Sequence, residues 1–197
     1  MTSVFDKLLD QIRRTRYFDE HVIKKIGPST WFCHRPGNGS IQSFYVTCQP
    51  GAIIMWGDLG ETIYCIYGGS SIVWGKRNFN FHDSYYPFTK LSPQMREERF
   101  SAERATAYLK ERVEEAKTSS VLDEDDLARA EKMLAEWKDR CGHEDEAEWW
   151  KLCSEHDEDD PPGMRELVPR VYLCYFCLCW FFSHVNADDE RFKEAFA

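Results

Sequence analysis

The stretch that most constrains the fold is residues 41–67, where three β-compatible runs follow one another with turn sequences between them, IQSFYVTCQPGAIIMWGDLGETIYCIY. The first run, residues 41–48, alternates its side chains with a period of two, which is typical of a strand. A Pro-Gly pair and a Gly-Asp-Leu-Gly segment supply the two turns. These features predict a three-stranded antiparallel meander. Its middle run, residues 52–56, is apolar on both parities, so we expect that strand to be covered on both faces.

Shorter patterns extend the meander into a sheet of four or five strands. Residues 30–34 predict a fourth strand, and residues 70–74 are compatible with either a fifth strand or a helical turn. Residues 75–92 have no clean period, so we predict that this segment is mostly irregular. Burial of its aromatic side chains is expected to hold it to the body, through Tyr85, Tyr86 and Phe88.

Helical spacing marks the start of the chain and its second half. An amphipathic helix is predicted at residues 4–12, and an acidic helical hairpin at residues 101–141, with Ser101 and Asp123 as N-caps. A short helix anchored by Trp149 and Trp150 should follow the hairpin.

The apolar run at residues 171–182 predicts a buried C-terminal helix that crosses the apolar face of the meander, and a last short helix is expected at residues 188–196. The fold prediction is therefore α+β. It is a single domain over residues 1–197, with a sheet core at 30–74 and a helical region at 100–197.

Charge is divided unequally along the chain, whose formal net charge is −9. Residues 1–100 hold 12 Lys or Arg against 9 Asp or Glu, whereas residues 101–197 hold 13 against 25. Binding to phosphate backbones takes clustered Lys and Arg, so this balance argues against a nucleic-acid-binding protein and favours a basic partner.

Cellular location is predicted from the cysteines and the apolar runs. The chain has eight Cys but no apolar signal segment at its start, so we expect reduced thiols in a cytoplasm. The longest apolar run has twelve residues, well short of the ~20 that span a bilayer, so no membrane segment is expected.

Residues of the zinc-ligand type occur at two places, Cys141 with His143 and Cys153 with His156. Their spacing does not match the Cys-x-x-Cys pairs of common structural zinc sites, so coincidence is the preferred interpretation and zinc the alternative. The chain also lacks a Gly-x-Ser-x-Gly motif and a phosphate-binding Gly-rich loop. We therefore expect a protein without metal or cofactor that is not an enzyme.

The acidic run at residues 144–160 holds nine acids and one Lys around two tryptophans. Such runs are most often solvated surfaces. Carboxylates presented beside aromatic anchors can also imitate a phosphate backbone and occupy the nucleic-acid groove of a basic partner. On that interpretation the partner-binding residues are Glu144, Asp145, Glu146, Glu148, Glu155, Asp157, Glu158, Asp159 and Asp160.

The segments SFYVTCQPG and IIMWGDLGE, with the aromatic-rich strand after them, resemble a group of short proteins encoded by tailed phages. The resemblance covers roughly residues 31–67, with a looser echo in the terminal helix VYLCYFCLCWFF. It implies a role as an antagonist of host immunity, a class that includes anti-CRISPR proteins.

Together with the acidic run, this resemblance leads us to expect a phage-encoded inhibitor of a host defence complex in the host cytoplasm. It would bind a defence protein stoichiometrically, as a nucleic-acid mimic, and would itself contact neither nucleic acid nor membrane. One alternative is a metal-dependent hydrolase. The other is a small-ligand protein that binds nucleotide signals through His34, Arg35, Lys76 and Arg77.

Overall fold

The computed structural model of the chain describes residues 4–37, 42–81, 85–118, 124–140, 146–156 and 163–185. The chain divides into two compact units, which we call the sheet unit, residues 2–97 and 167–197, and the helical unit, residues 98–166. Each unit has a hydrophobic core of its own. That the whole chain folds as a single domain stays a prediction.

The described residues form an α+β fold, as predicted. The strands are β1 (Val22–Lys25), β2 (Thr30–His34), β3 (Phe44–Gln49), β4 (Ala52–Gly57), β5 (Thr62–Cys65), β6 (Glu98–Phe100) and β7 (Arg165–Leu167). The helices are α1 (Val4–Thr15), α2 (Ser71–Asn78), α3 (Tyr85–Thr89), α4 (Ala102–Thr118), α5 (Glu124–Arg140), α6 (Glu146–Glu155) and α7 (Pro169–His184), with a 3₁₀ turn at Pro93–Met95.

The sheet unit is built on one antiparallel sheet whose strand order, β1 to β5, follows the sequence. The predicted meander and the fourth strand, β2, are confirmed. The fifth strand lies before β2 rather than after β5: in β1, Ile23 pairs with Cys33. This strand was missed because its sequence, VIKK, is only four residues long and half lysine, too short to show a period.

Helix α7 lies against the inner face of the sheet, as predicted, and supplies much of the core of the sheet unit. Phe181 contacts Trp31 of β2 with ring centroids 5.4 Å apart. On another side of α7, Phe176 contacts Phe5 of α1 at 4.9 Å. The apolar spacing of α1 is therefore explained by its packing on α7. Pro169 occupies the first turn of α7, where its missing N–H costs no hydrogen bond.

The prediction of an irregular segment at residues 75–92 was wrong. The segment 70–74 opens α2, which continues through Gly75 to Asn78, and α3 follows. Gly75 lies inside α2 and allows close packing: a Cβ on Gly75 would lie 2.2 Å from Cζ of Phe182. Phe88 is buried as predicted, whereas Tyr86 is 45% exposed.

The prediction that β4 is covered on both faces was also wrong. Ile53 and Met55 are fully buried, but Trp56 on the opposite parity is 37% exposed. The outward parity is apolar because aromatic side chains of adjacent strands pack on one another there, as described below.

The helical unit contains the predicted hairpin, formed by α4 and α5. The Ser101 N-cap is confirmed, because its Oγ accepts a hydrogen bond from the backbone N–H of Arg104 at 3.2 Å. Trp137 and Trp149 meet edge to face at 5.5 Å in the core of this unit, whereas Trp150 is 44% exposed and is not part of that core.

Two predictions, the Asp123 cap and the helix at 188–196, lie outside the described residues. Within the part of the chain that is described, no helix combines the length and the apolar character needed to cross a membrane.

Candidate functional site

The outer face of the sheet carries four aromatic side chains in continuous contact, His34, Phe32, Tyr45 and Trp56, which we call the aromatic row. Phe32 of β2 lies opposite Tyr45 of β3, which lies opposite Trp56 of β4. The ring centroids are 4.7 Å and 5.2 Å apart, with interplanar angles of 26° and 10°. His34 stacks on Phe32 at 4.7 Å and 13°. The row therefore spans three adjacent strands.

The alternation of each strand places these rings on the outer face. Residues of the other parity, such as Cys33, Phe44 and Met55, are fully buried in the core of the sheet unit, so their neighbours must point outwards. Cross-strand aromatic pairs stabilise a sheet by about 0.2–1 kcal/mol each. The aromatic row thus contributes to stability as well as offering a surface.

The orientation of the rings decides what this surface can bind. The centroid separations match the spacing of adjacent strands, and the planes are nearly parallel, so the rings stand upright and face one another along the row. Phe32 has two stacked neighbours, and so does Tyr45. The inner rings therefore offer edges, not faces, to a ligand.

Strand β1 places one apolar and one basic side chain beside the aromatic row. Val22, opposite His34, is 43% exposed, and Lys24 lies opposite Phe32. A second line of outward side chains runs beside the row: Thr30 and Thr47 share a hydrogen bond of 2.9 Å, and Ile54 lies opposite Ile63. The apolar surface of the sheet is thus wider than the four rings.

Three of the acidic residues predicted to bind a partner lie among the described residues: Glu146, Glu148 and Glu155. The carboxylate of each lies near an arginine of the same chain. Arg165 donates two hydrogen bonds to Glu146, from Nε at 3.0 Å and from Nη2 at 2.8 Å. These hydrogen bonds lower the pKa of Glu146 below its ordinary value and raise the pKa of Arg165.

Arg140 binds the other described acids. Its guanidinium is ion-paired with Glu155 and lies 3.9 Å from Glu148, and the hydrogen bond to Glu155 raises the pKa of Arg140. The remaining six acids lie outside the described residues: Glu144, Asp145, Asp157, Glu158, Asp159 and Asp160. Part of the acidic run is therefore locally compensated, and its role in partner binding stays a prediction.

The alternative zinc site would use Cys141, His143, Cys153 and His156 as its ligands. Cys141 and His143 lie outside the described residues. His156 is nearly buried, and its Nε2 lies 2.9 Å from Oε2 of Glu136, so this nitrogen already has a hydrogen-bond partner. Among the described residues no three His, Cys, Asp or Glu side chains converge as a metal site would require.

The residues proposed for nucleotide binding do not converge either. The ring of His34 belongs to the aromatic row on the outer face of the sheet, and Nε of Arg35 lies 2.9 Å from Oε2 of Glu20. Lys76 and Arg77 end α2, which packs with α7 on the inner side. The sheet therefore separates His34 from Lys76 and Arg77.

Charge is partitioned between the two units. The sheet unit holds 14 Lys or Arg against 12 Asp or Glu, whereas the helical unit holds 11 against 22. The acidic character of the chain thus belongs to the helical unit, and the aromatic row lies on a unit that is close to neutral.

No protein-family model, curated protein sequence or solved structure matches this chain.

Proposed function

We propose that the chain acts by stoichiometric binding to a partner protein and that the aromatic row is its docking surface. The observation that carries the proposal is a set of stacked aromatic rings left partly exposed on an outer sheet face, with Val22 and Ile54 beside them. Aromatic residues are enriched at protein interfaces, and a few of them supply most of the binding energy.

The ring geometry favours a protein partner over a nucleic acid. Single-stranded nucleic acids are bound by aromatic rings whose free faces stack on the bases. In the aromatic row Phe32 and Tyr45 are each stacked on two neighbours, so bases would have to displace rings to reach them. Ring edges and aliphatic side chains suit the uneven surface of a protein.

The role we propose for this binding is inhibition of a host defence complex, which the resemblance to tailed-phage proteins implies. A helical unit with twice as many acids as bases would accelerate association with a basic partner, because complementary charge acts mainly on the rate of encounter. The aromatic row would then hold the complex together.

The test is a double variant, Tyr45→Thr with Trp56→Thr, which keeps strand-forming residues in both strands. Partners captured from a host lysate are identified with the wild-type chain, and their affinity is measured with purified proteins. Loss of two central aromatic contacts should weaken binding by ~30-fold or more, the effect expected of interface hot spots.

Tyr86→Gln is the matched control, since Tyr86, at 45% exposed, is similar to Trp56 but lies on α3, outside both the aromatic row and the acidic run. It should leave the affinity unchanged. Circular dichroism confirms that each variant is folded. Equal affinity of the double variant and the wild-type chain would refute the assignment of the docking surface.

A third variant separates the aromatic row from the acidic run. This variant neutralises four acids together, Glu155, Asp157, Asp159 and Asp160. It should slow association and reduce the salt dependence of the association rate, while the dissociation rate stays nearly unchanged. If this variant alone loses the complex and the double variant keeps it, the acidic run is the docking surface.

A further inference from the structure

A pocket of about 320 Å³ opens at the C-terminal end of α1, on the inner side of the sheet. Its floor includes the rings of Tyr17, Phe81 and Trp180, and its rim includes Arg13, Arg16 and Asp19. The volume lies at the lower end of the range of ~300–1,000 Å³ that is usual for small-ligand sites. An aromatic floor with a charged rim suits a flat ligand that carries a charge.

The charge of the rim is positive. Arg16 forms an ion pair with Asp19, whereas the guanidinium of Arg13 has neither an ion-pair nor a hydrogen-bond partner among the described residues. Two guanidinium groups and one carboxylate leave one excess positive charge at the opening. An anionic group on the ligand would therefore find its partner in Arg13.

The rings of this pocket differ from the inner rings of the aromatic row, Phe32 and Tyr45, in the number of their stacked neighbours. Tyr17 has one, His21, at 6.1 Å and 18°, and Phe81 has one, Phe176, at 6.1 Å and 10°. Neither ring has a second stacked neighbour in the part of the chain that is described. Each can therefore accept a planar group on its other side.

The backbone holds these residues in place without a ligand. Arg16 adopts a left-handed conformation with φ of 51°, which ends α1 and turns the chain towards Tyr17. The backbone N–H of Tyr17 donates to the carbonyl of Ile12 at 3.1 Å. Beneath Tyr17, His21 is buried, and its Nε2 lies 3.1 Å from the carbonyl oxygen of Gln42. The floor is thus preorganised, which lowers the entropic cost of binding.

We propose that this pocket binds a nucleoside monophosphate, with the base against Tyr17 and Phe81 and the phosphate at Arg13. The size of the pocket, its flat aromatic floor and the unpaired guanidinium together match this class of ligand. The site is separate from the aromatic row, so either proposal can fail without the other.

Isothermal titration calorimetry with AMP and adenosine tests the phosphate contact. The wild-type chain should bind AMP about tenfold more tightly than adenosine or better, the effect of one charge-assisted hydrogen bond. Arg13→Gln should remove this difference and leave the affinity for adenosine unchanged. Arg14→Gln is the matched control: it removes the same charge from the same helix, and Arg14 does not line the pocket.

A second series tests the base. Phe81→Leu should weaken both AMP and adenosine by about fivefold or more, because base–aromatic stacking is worth ~1–3 kcal/mol per base. Urea unfolding of each variant confirms that it is folded. Three results would overturn the proposal: no binding of AMP at millimolar concentration, equal losses in Arg13→Gln and Arg14→Gln, or inorganic phosphate binding as tightly as AMP.

Discussion

Gly75 is the position where the structure reverses the ordinary effect of a substitution. In an exposed helix interior, Gly→Ala stabilises a protein by about 1 kcal/mol, because Ala is the better helix former. Gly75 lies inside α2, yet its Cβ would sit 2.2 Å from Cζ and 2.3 Å from Cε1 of Phe182 on α7. We expect Gly75→Ala to destabilise the sheet unit.

The size of the effect follows from how little Phe182 can move. Carbon atoms in contact lie ~3.5–4.0 Å apart, so the ring would have to retreat by more than 1 Å. Phe182 is buried, stacks on Phe79 at 5.3 Å and 4°, and contacts Phe181 at 5.0 Å. Overpacking a core costs ~1–3 kcal/mol, and a clash this close belongs at the upper end. Subtracting the gain in helix propensity leaves a net loss of about 2 kcal/mol.

Urea unfolding of four proteins tests this reasoning: wild type, Gly75→Ala, Phe182→Leu and the double variant. Phe182→Leu will cost stability by itself, but in that background Gly75→Ala should be neutral or stabilising, because the ring atoms that clash are absent. If Gly75→Ala raises the free energy of unfolding by about 1 kcal/mol in the wild-type background, the packing of α2 on α7 is not as described.

Three further outcomes follow from pKa values. Burial lowers the folded-state pKa of His21 below the ordinary 6.5, so the free energy of unfolding should decrease as the pH falls from 6.5 to that lower pKa. His21→Gln should reduce this pH dependence when urea unfolding is measured at several pH values, and an unchanged dependence would contradict the burial of His21. Cys65 is exposed, whereas burial raises the pKa of Cys174 to about 12, so iodoacetamide should alkylate Cys65 and not Cys174 in the native chain. Peptide mass spectrometry measures the labelling of each cysteine, and equal labelling would refute the buried position of Cys174. Arg165→Gln should raise the pKa of Glu146 towards 4.5 in a carbon-13 titration of the carboxyl groups, and a pKa that does not move would mean that the ion pair is absent in solution.

The elements that could be predicted are those whose side chains repeat over several residues. Three such features depend only on neighbours in sequence, and each was confirmed: the period of two over β3, the turns on either side of β4 and the apolar spacing of α1. The buried position of α7 followed in the same way from a run of apolar residues on every side of the helix.

Where the prediction was wrong, the deciding contact lay far away in sequence. Residues 75–78 show no clean period but belong to α2, and the side chain that packs on them is distant: Phe182, more than 100 residues later, takes the space beside Gly75. The outward position of Trp56 depends on its register with Tyr45, which the turn between β3 and β4 sets. An apolar run alone does not tell whether a strand is covered by a second layer or by its own neighbours.

The candidate site was only partly visible in the sequence. Tyr45 and Trp56 could have been identified as a row by aligning the predicted strands across the Pro-Gly turn, since that turn fixes which residues face each other. The ion pair between Glu146 and Arg165 could not be predicted, because no local sequence pattern joins residues 19 positions apart. The pocket at the end of α1 combines Arg13 with Trp180 and likewise has no local signal.

The net charge of −9 bears differently on the two proposed sites. At physiological ionic strength an anion responds mainly to charges within about 8 Å, so the total over 197 residues does not decide whether a phosphate can bind. At the pocket the nearest charges are two arginines and one aspartate. For a whole partner protein the summed field does count, and on the function we propose the acidic helical unit would disfavour nucleic acid and favour a basic surface. The same acidic chain can therefore repel a polyanion and still hold a single phosphate at Arg13.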